Sequence, residues 1–201
     1  MAGRFLRAGI TNPISTWRDF QVVQHYRRAQ EELRESAEPL AAAQLRIAGE
    51  RAAMPLAQAK TAIEHWMEDA PLDLLASCLR PGIVELLEAA KRKSIPMGVL
   101  SDYPADRKLA AMRIDSYFST VLAAQDARIG MFKPSPKGLL EVLADLGVSP
   151  DAAIYVGDRA SVDGEAARRA GVNAVILGSS KFGQGWVGAP DVPALRRLLN
   201  I

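Results

Sequence analysis

Residues 153–171 constrain the fold of this chain more than any other stretch. They begin with a short apolar run, AIYV, which predicts a buried strand. The run stops at Gly157 and Asp158, Asp163 follows five residues after Asp158, and an alanine-rich helical pattern ends at Gly171, a candidate helix C-cap. A strand, a tight acidic turn and a helix are typical of the edge of an open α/β sheet where ligands bind.

The two acidic residues of this turn allow two interpretations. Two carboxylates beyond the end of a strand suit a hard cation such as Mg²⁺, which takes oxygen ligands and keeps waters that a phosphate can share. Alternatively, the same acids cap the following helix, because Asp and Glu are favourable at helix N-termini. The turn alone does not decide between these interpretations, so the rest of the chain has to.

The composition is that of an ordinary globular protein. The 201 residues, 49% hydrophobic and 24% charged, can form one good-sized core or a core with a small second domain. The net charge of +2 gives no reason to expect nucleic acid or a membrane as partner. No apolar run reaches the roughly 18 residues of a membrane span, and the N-terminus does not resemble a signal peptide. We therefore expect a cytoplasmic protein, as a monomer or a homodimer.

The first part of the chain, residues 1–79, predicts a helical domain without strands. Residues 1–16 show no clean period, but residues 17–35 have helical spacing. Further helical patterns follow at 39–53, 55–67 and 72–79, each close to a proline that suits a helix start. The stripe of residues 17–35 that would face the core consists of Phe20, Val23, Tyr26, Gln30 and Leu33.

Several single residues of this helical part have plain structural interpretations. Cys78, the only cysteine, excludes an intrachain disulfide and lies in a leucine-rich stretch that predicts a small buried residue. His25 and His65 lie in helical patterns beside aromatic residues. We expect His25 to be a surface or packing residue and His65 to pack, and neither to bind a ligand. The core of the helical domain would contain the aromatic residues Trp17, Tyr26 and Trp66, or one of them would line the substrate pocket.

From residue 80 onward, helical and strand patterns alternate. Strands are predicted at 95–100, 120–124, 153–156 and 174–177, and helices at 83–93, 105–112, 136–146 and 192–199 in addition to the one that ends at Gly171. Residues 178–188 are rich in glycine and predict a surface loop. This alternation indicates βαβ units and a parallel sheet. Residues 80–201 therefore predict a Rossmann-like α/β core beneath an N-terminal α-helical cap.

Polar residues follow three of the predicted strands. Ser101 and Asp102 end the first, Lys133 lies in the loop after the second, and Asp158 and Asp163 follow the third. Because the carboxyl ends of parallel strands meet at one edge of a sheet, we expect these side chains to converge. The set suits phosphoryl transfer, with a hydroxyl to bind a phosphate oxygen, an ammonium to neutralise charge and two carboxylates to hold a metal.

Each of these residues also has a plainer interpretation. Ser101 could cap a helix, and Lys133 could be a solvated surface lysine. The loop FKPSP at 132–136 would nevertheless restrain the stem of Lys133 between an aromatic residue and a proline. The occurrence of all these residues in order, each after a strand, favours the site.

Three segments of the chain resemble the second, third and fourth motifs of the haloacid dehalogenase superfamily of hydrolases. They are VLSD at 99–102, FKPSP at 132–136 and YVGDRASVD at 155–163. The resemblance covers about residues 80–180, and residues 17–79 are similar to the helical cap of its phosphatase-like branch. The fourth motif is the most specific, and it favours Mg²⁺-dependent phosphatases over metal-free dehalogenases. A mutase of the superfamily would share the fold.

The resemblance implies a function and a role for each site residue. It implies a Mg²⁺-dependent phosphatase that acts on a small phosphorylated metabolite through an aspartyl-phosphate, with a cap that closes over the site. Ser101 and Lys133 would bind the phosphoryl group and take part in catalysis, and Asp158 and Asp163 would serve the metal. Asp102, where relatives often carry Asn, would help to position the substrate.

The chain departs from the superfamily at the first motif, an apolar strand that ends in DxD-G-T and carries the aspartate nucleophile. No DxD occurs before the cap, and the first acidic residue is Asp19, within a helical pattern. The missing strand would lie at the centre of the sheet, between the strands that end near Ser101 and Asp158. Losing about four buried apolar residues costs roughly 6–12 kcal/mol, comparable with the whole stability of a domain, roughly 5–15 kcal/mol. Residues 4–10 suit the position badly because they include two arginines.

Two explanations of this departure stay open. We expect that the start of the chain is displaced, in a gene model or cloned piece that begins after the first motif, so that the chain is truncated and inactive as written. The alternative is a degenerate homologue without catalysis, kept as a phosphate-binding or interaction module.

Overall fold

The computed structural model describes residues 13–33 and 39–201. The predictions for residues 1–12, including the interpretation of residues 4–10, lie outside this range. The described residues before residue 80 contain helices and no strand. The helices are α1 (Pro13–Glu32), α2 (Leu40–Arg51), α3 (Leu56–Ile63), which continues as a π-helix over Glu64–Asp69, and α4 (Leu72–Leu75), followed by a 3₁₀ turn at Ala76–Cys78.

Helices α1, α2 and α3 pack together around one apolar core. The described residues up to 79 are called the cap below, after the prediction for this part of the chain. Trp66 is buried in this core, and its indole Nε1 donates a hydrogen bond to Asp19 Oδ2 at 3.0 Å. The prediction that Trp17 belongs to the core is wrong, because Trp17 lies off the buried stripe of α1 and stacks on Phe20 at the surface. The buried residues of α1 are Thr16, Val22, Val23, Tyr26, Ala29 and Gln30, and Leu33 directly after the helix is also buried.

The remainder of the chain alternates between helices and strands, which confirms the predicted α/β, Rossmann-like class. Its main elements are α5 (Ile83–Arg92), β1 (Gly98–Ser101), α6 (Asp106–Ala111), β2 (Thr120–Ala123), α7 (Lys137–Leu146), β3 (Ile154–Gly157), a π-helical turn (Ala160–Gly164), α8 (Glu165–Ala170), β4 (Asn173–Leu177), β5 (Phe182–Gly183), β6 (Trp186–Ala189) and α9 (Val192–Leu199). Most of the predicted elements begin and end within three residues of these bounds.

The strands form two separate sheets. Strands β1 and β2 make a parallel pair, and the second sheet has the order β3-β4-β6-β5, in which only β5 is antiparallel. Within the described residues, no strand pairs with the other edge of β1 or of β3. Ile154 and Val156 of β3 are 51% and 39% exposed although they are apolar. The gap lies where the sequence predicts a missing central strand, between the strands that end at Ser101 and Gly157.

A shared apolar core holds the two sheets together despite the gap. Val99 and Val121 from the first sheet pack in one cluster with Val175 and Val187 from the second. The carboxyl ends of β1 and β3 thus stay on the same side of the molecule. This arrangement places the loops after β1, β2 and β3 next to one another.

Two local predictions are wrong. Residues 178–188 are not a plain loop, because β5 and β6 form a hairpin in which Gly183 pairs with Trp186 across two turn residues. The second turn residue, Gly185, has a φ of +80°, a conformation that favours glycine. Cys78 is exposed rather than buried. It ends a 3₁₀ turn, Ala76–Cys78, in which no residue is buried. Among the described helices, none has the length and apolarity that a membrane span requires.

Candidate active site

Lys133 is buried at the ends of the strands. The residue is 8% exposed, which rules out a solvated surface lysine. Phe132 before it is fully buried and packs against Ala29 and Leu40 of the cap, so the loop is fixed on one side by the cap. The following peptide bond, Lys133–Pro134, is cis. The sequence prediction of a restrained lysine in this loop is therefore confirmed.

Asp163 is the main partner of Lys133, and four donors satisfy its buried carboxylate. Its Oδ1 accepts from Lys133 Nζ at 2.8 Å and from the Tyr155 hydroxyl at 3.1 Å. Its Oδ2 accepts from the backbone N–H groups of Asp158 at 3.1 Å and Arg159 at 2.9 Å. These N–H groups precede Asp163, so Asp163 does not cap the following helix and instead fixes the turn that carries Asp158.

Gly157 permits the close approach of Asp163 to the end of β3. A Cβ atom added at Gly157 would lie 2.3 Å from the Cβ of Asp163, closer than real Cβ atoms come to other atoms. Any other residue would push the carboxylate away from the backbone N–H groups it accepts from. The glycine of the GD pair thus has a structural role in the site.

The charges of the buried pair stabilise each other. Burial alone would lower the pKa of Lys133, but Tyr155, Asp102 and Asp163 outweigh burial and raise this pKa above its ordinary value. Burial alone would raise the pKa of Asp163, but the neighbouring Lys133 ammonium and the hydrogen bonds lower it. Burial raises the pKa of Tyr155 to about 12. At neutral pH the cluster therefore contains an ammonium, a carboxylate and a neutral phenol.

Ser101 and Asp102 lie at the end of β1, on the other side of Lys133. The Ser101 hydroxyl oxygen accepts the Tyr103 backbone N–H at 3.3 Å, so its own O–H proton can still be donated. Asp102 Oδ1 lies 3.9 Å from Lys133 Nζ, and Asp102 Oδ2 accepts from Arg159 Nη2 at 3.2 Å. The structure therefore brings Asp102, Lys133 and Asp163 together as the sequence predicts.

Glutamines of the cap reach this site, which the sequence analysis did not predict. Gln30 Nε2 donates to Asp102 Oδ2 at 2.7 Å, and Gln30 Oε1 accepts from the Tyr103 hydroxyl at 2.9 Å. Gln44 is fully buried, and its Oε1 accepts from Gln125 Nε2 at 2.6 Å. The available sequence signal was a glutamine on the apolar stripe of α1, a position where a buried amide needs partners.

Asp158 is the carboxylate that is best placed for a cation. It is exposed, and among the described residues its side chain has no hydrogen bond or ion pair. No group of three or more ligating side chains occurs in the part of the chain that the structure describes. Mg²⁺ fits such a site, because it is held by one or two carboxylates together with waters and phosphate oxygens. The roles of Asp158 and Asp163 as metal residues stay predictions.

A family model for haloacid dehalogenase-like hydrolases matches residues 2–171. The match covers most of the chain. The chain belongs to the haloacid dehalogenase-like hydrolase family.

Two curated relatives are phosphatases. Glyceraldehyde 3-phosphate phosphatase of Methanopyrus kandleri is 31% identical over 105 residues, which cover 51% of this chain and 44% of that protein. Phosphoglycolate phosphatase of Escherichia coli K12 is 33% identical over 102 residues, which cover 49% of this chain and 39% of that protein. The chain thus matches less than half of the length of each.

Two solved structures share the fold over nearly their whole length. The 2-haloacid dehalogenase from Pseudomonas syringae pv. Tomato DC3000 has a TM-score of 0.64 at 22% identity and covers 99% of this chain and 89% of its own. A HAD phosphatase from Thermococcus onnurineus has a TM-score of 0.61 at 22% identity and covers 90% of this chain and 88% of its own. At these identities the likeness establishes the fold alone.

Proposed function

We propose that this chain is the larger part of a Mg²⁺-dependent phosphatase that acts on a small phosphorylated metabolite. The observation that carries the proposal is the buried Lys133–Asp163 pair at 2.8 Å. Ser101 ends β1, and Asp158 directly follows β3. An ammonium fixed in this way can neutralise charge that develops on a phosphoryl group. The relatives named for glyceraldehyde 3-phosphate and phosphoglycolate support a substrate of two or three carbons.

The charges of the site support a requirement for a divalent cation. Lys133 and Arg159 pair with the carboxylates of Asp102 and Asp163. The carboxylate of Asp158, the residue before Arg159, adds a further negative charge, so the site has more acidic than basic groups. A phosphate dianion would be repelled unless a cation accompanied it. Asp158 would hold Mg²⁺, which would supply positive charge to the phosphate, while the Ser101 hydroxyl and the Lys133 ammonium bind phosphate oxygens.

Turnover requires a nucleophile, and the sequence has no DxD followed by Gly-Thr. We propose that residues 1–201 bind a phosphoester but do not hydrolyse it. Hydrolysis through an aspartyl-phosphate would begin only when a strand that ends in this motif pairs with the open edges of β1 and β3. The alternative function, a phosphate-binding or interaction module without catalysis, is favoured by the same missing motif.

The test starts with the in-frame DNA upstream of Met1. If it encodes an apolar run that ends in DxDGT, the longer product is expected to release phosphate from a panel of small phosphoesters with Mg²⁺ and not with EDTA. Residues 1–201 are expected to release none, and so is the longer product with the first Asp of the motif changed to Asn. A longer product that releases no phosphate from any substrate would contradict the phosphatase. Upstream DNA without the motif would favour the binding module.

A further inference from the structure

One oxygen of Asp102 has an ionic neighbour but no hydrogen-bond partner within the described part of the chain. The side chain of Asp102 is nine-tenths buried, with 10% of its surface exposed. Its Oδ2 accepts from Gln30 Nε2 at 2.7 Å and from Arg159 Nη2 at 3.2 Å. Its Oδ1 is buried and has no hydrogen-bond partner among the residues that the structure describes. Lys133 Nζ lies 3.9 Å from Oδ1, beyond hydrogen-bond distance, and is held by Asp163 instead.

The chemistry of this oxygen restricts what can bind next to it. An ionised carboxylate can only accept hydrogen bonds, so a suitable neighbour must donate one. A buried acceptor that stays unpaired is costly, and a second carboxylate at the same place would add repulsion between like charges. Oδ1 faces Lys133, so this neighbour would be part of whatever molecule binds beside the ammonium.

We propose that Asp102 selects phosphoesters that carry a hydroxyl close to the phosphate and disfavours those that carry a carboxylate there. This inference rests on the proposed function, because it assumes that the phosphoryl group lies beside Lys133. The substrate hydroxyl would donate to Asp102 Oδ1 while the phosphoryl oxygens contact Lys133 and Ser101. The substrate class would then be a phosphorylated polyol or hydroxyaldehyde rather than a phosphorylated acid.

Groups from both the cap and the core hold Asp102 in the orientation that this selection needs. Gln30 comes from helix α1 of the cap, and its own Oε1 is held by the Tyr103 hydroxyl at 2.9 Å. Arg159 comes from the turn after β3, where its backbone N–H is fixed by Asp163. Because both donors bind Oδ2, Oδ1 is the oxygen left for the substrate. Gln30 is therefore a positioning residue, and its effect depends on the cap being closed on the core.

The test measures the affinity of residues 1–201 with Mg²⁺ for three probes of matched size. These are glycerol 3-phosphate with hydroxyls, n-propyl phosphate without them, and 3-phosphooxypropionate with a carboxylate. Isothermal titration calorimetry is expected to give about tenfold to hundredfold tighter binding of glycerol 3-phosphate than of n-propyl phosphate, the range of a hydrogen bond to a charged group. The carboxylated probe is expected to bind most weakly.

Three variants complete the test. Asp102→Ala is expected to remove the preference for glycerol 3-phosphate, and Asp102→Asn to improve binding of 3-phosphooxypropionate, because an amide can donate. Glu88→Gln, an exposed change on α5, is expected to leave all three affinities unchanged. Equal affinities of glycerol 3-phosphate and n-propyl phosphate would overturn the selection by Asp102 and leave the proposed function intact. If none of the probes bound, the proposed function would fail and the inference with it.

Discussion

The helical cap and the strand domain differ in how well they enclose their interiors. In the cap, α1, α2 and α3 share one apolar core, and Gln30 and Gln44 have partners for both ends of their amides. In the strand domain, β1 and β3 each have one edge with which no strand of residues 13–33 or 39–201 pairs, and Ile154 and Val156 are 51% and 39% exposed. The difference shows that the unpaired strand edges of the described residues lie in the strand domain, whereas the cap is enclosed.

The open sheet edges also bear on the two functions proposed for the site, the binding of a phosphoester and its hydrolysis. The residues proposed to bind the phosphoryl group are Ser101 at the end of β1 and Lys133 in the loop after β2, and Asp158, proposed for the metal, follows β3. In the proposed function, the nucleophile would come from a further strand between the two sheets. Binding and hydrolysis would therefore depend on different parts of the fold, and each can be tested separately.

The largest expected loss of stability comes from Lys133→Met, because it leaves the buried carboxylate of Asp163 without its cation. Breaking a buried pair in this way costs about 3–5 kcal/mol. Urea unfolding measures the loss. The matched control is Lys137→Met on the exposed start of α7, which is expected to change the free energy of unfolding by less than about 0.5 kcal/mol. Similar values for the two variants would contradict the buried pair.

An Ile→Ala substitution in the cap core and at the open sheet edge compares how much each site contributes to stability. Ile63→Ala in the cap core is expected to lower the free energy of unfolding by about 2–5 kcal/mol, the cost of removing a buried Ile side chain. Ile154→Ala at the open edge of β3 is expected to cost less than about 1 kcal/mol, because half of Ile154 is already exposed. Equal costs would mean that another strand covers this edge in solution.

A smaller effect is expected from pH. The pKa of Asp163 is lowered below its ordinary 3.8 in the folded protein, so the unfolded chain binds more protons in acid and the stability falls as the pH falls. The pKa values of Lys133 and Tyr155 are raised, so their contribution is lost as the pH rises above about 10. Thermal unfolding of the native protein should show a plateau of stability between these limits.

The control for this pH dependence is Asp163→Asn. The variant is expected to be less stable at neutral pH and to lose less stability in acid than the native protein, because it has no carboxylate to protonate at this position. An equally steep loss in acid for both proteins would show that Asp163 has no part in it.

Local sequence patterns predicted most helices and strands, and they predicted that Asp102, Lys133 and Asp163 come together, because their motifs lie at or after the ends of parallel strands. The roles of these residues stay predictions. The hairpin of β5 and β6 was missed because the glycines at 183, 185 and 188 mask a strand pattern that only pairing reveals. The contact of Gln30 with Asp102 was missed because the two residues are 72 positions apart and belong to the cap and the core. Such contacts depend on how the cap docks, which no local pattern encodes.

The exposure of individual residues was the least predictable feature. Trp17 and Cys78 belong to residue types that are usually buried, yet both lie on the outside of the cap. Tyr155 was assigned only to a buried strand, but its hydroxyl bonds Asp163 and Lys133. The burial and partners of a single side chain depend on the neighbouring elements more than on its own sequence.

The most direct test of the account is whether residues 1–201 already form a phosphoryl site. Thermal unfolding is measured with Mg²⁺ and inorganic phosphate, together and separately. At about 100 times the dissociation constant, binding adds about 2.7 kcal/mol, which raises the Tm by about 5–10 °C for a chain of this size. We predict a cooperative transition and a rise of this size only when both ligands are present. In Asp158→Asn and in Lys133→Met, the two ligands are expected not to raise the Tm above that of the same variant without ligands. A broad transition that neither ligand moves, or a rise that both variants keep, would contradict the site.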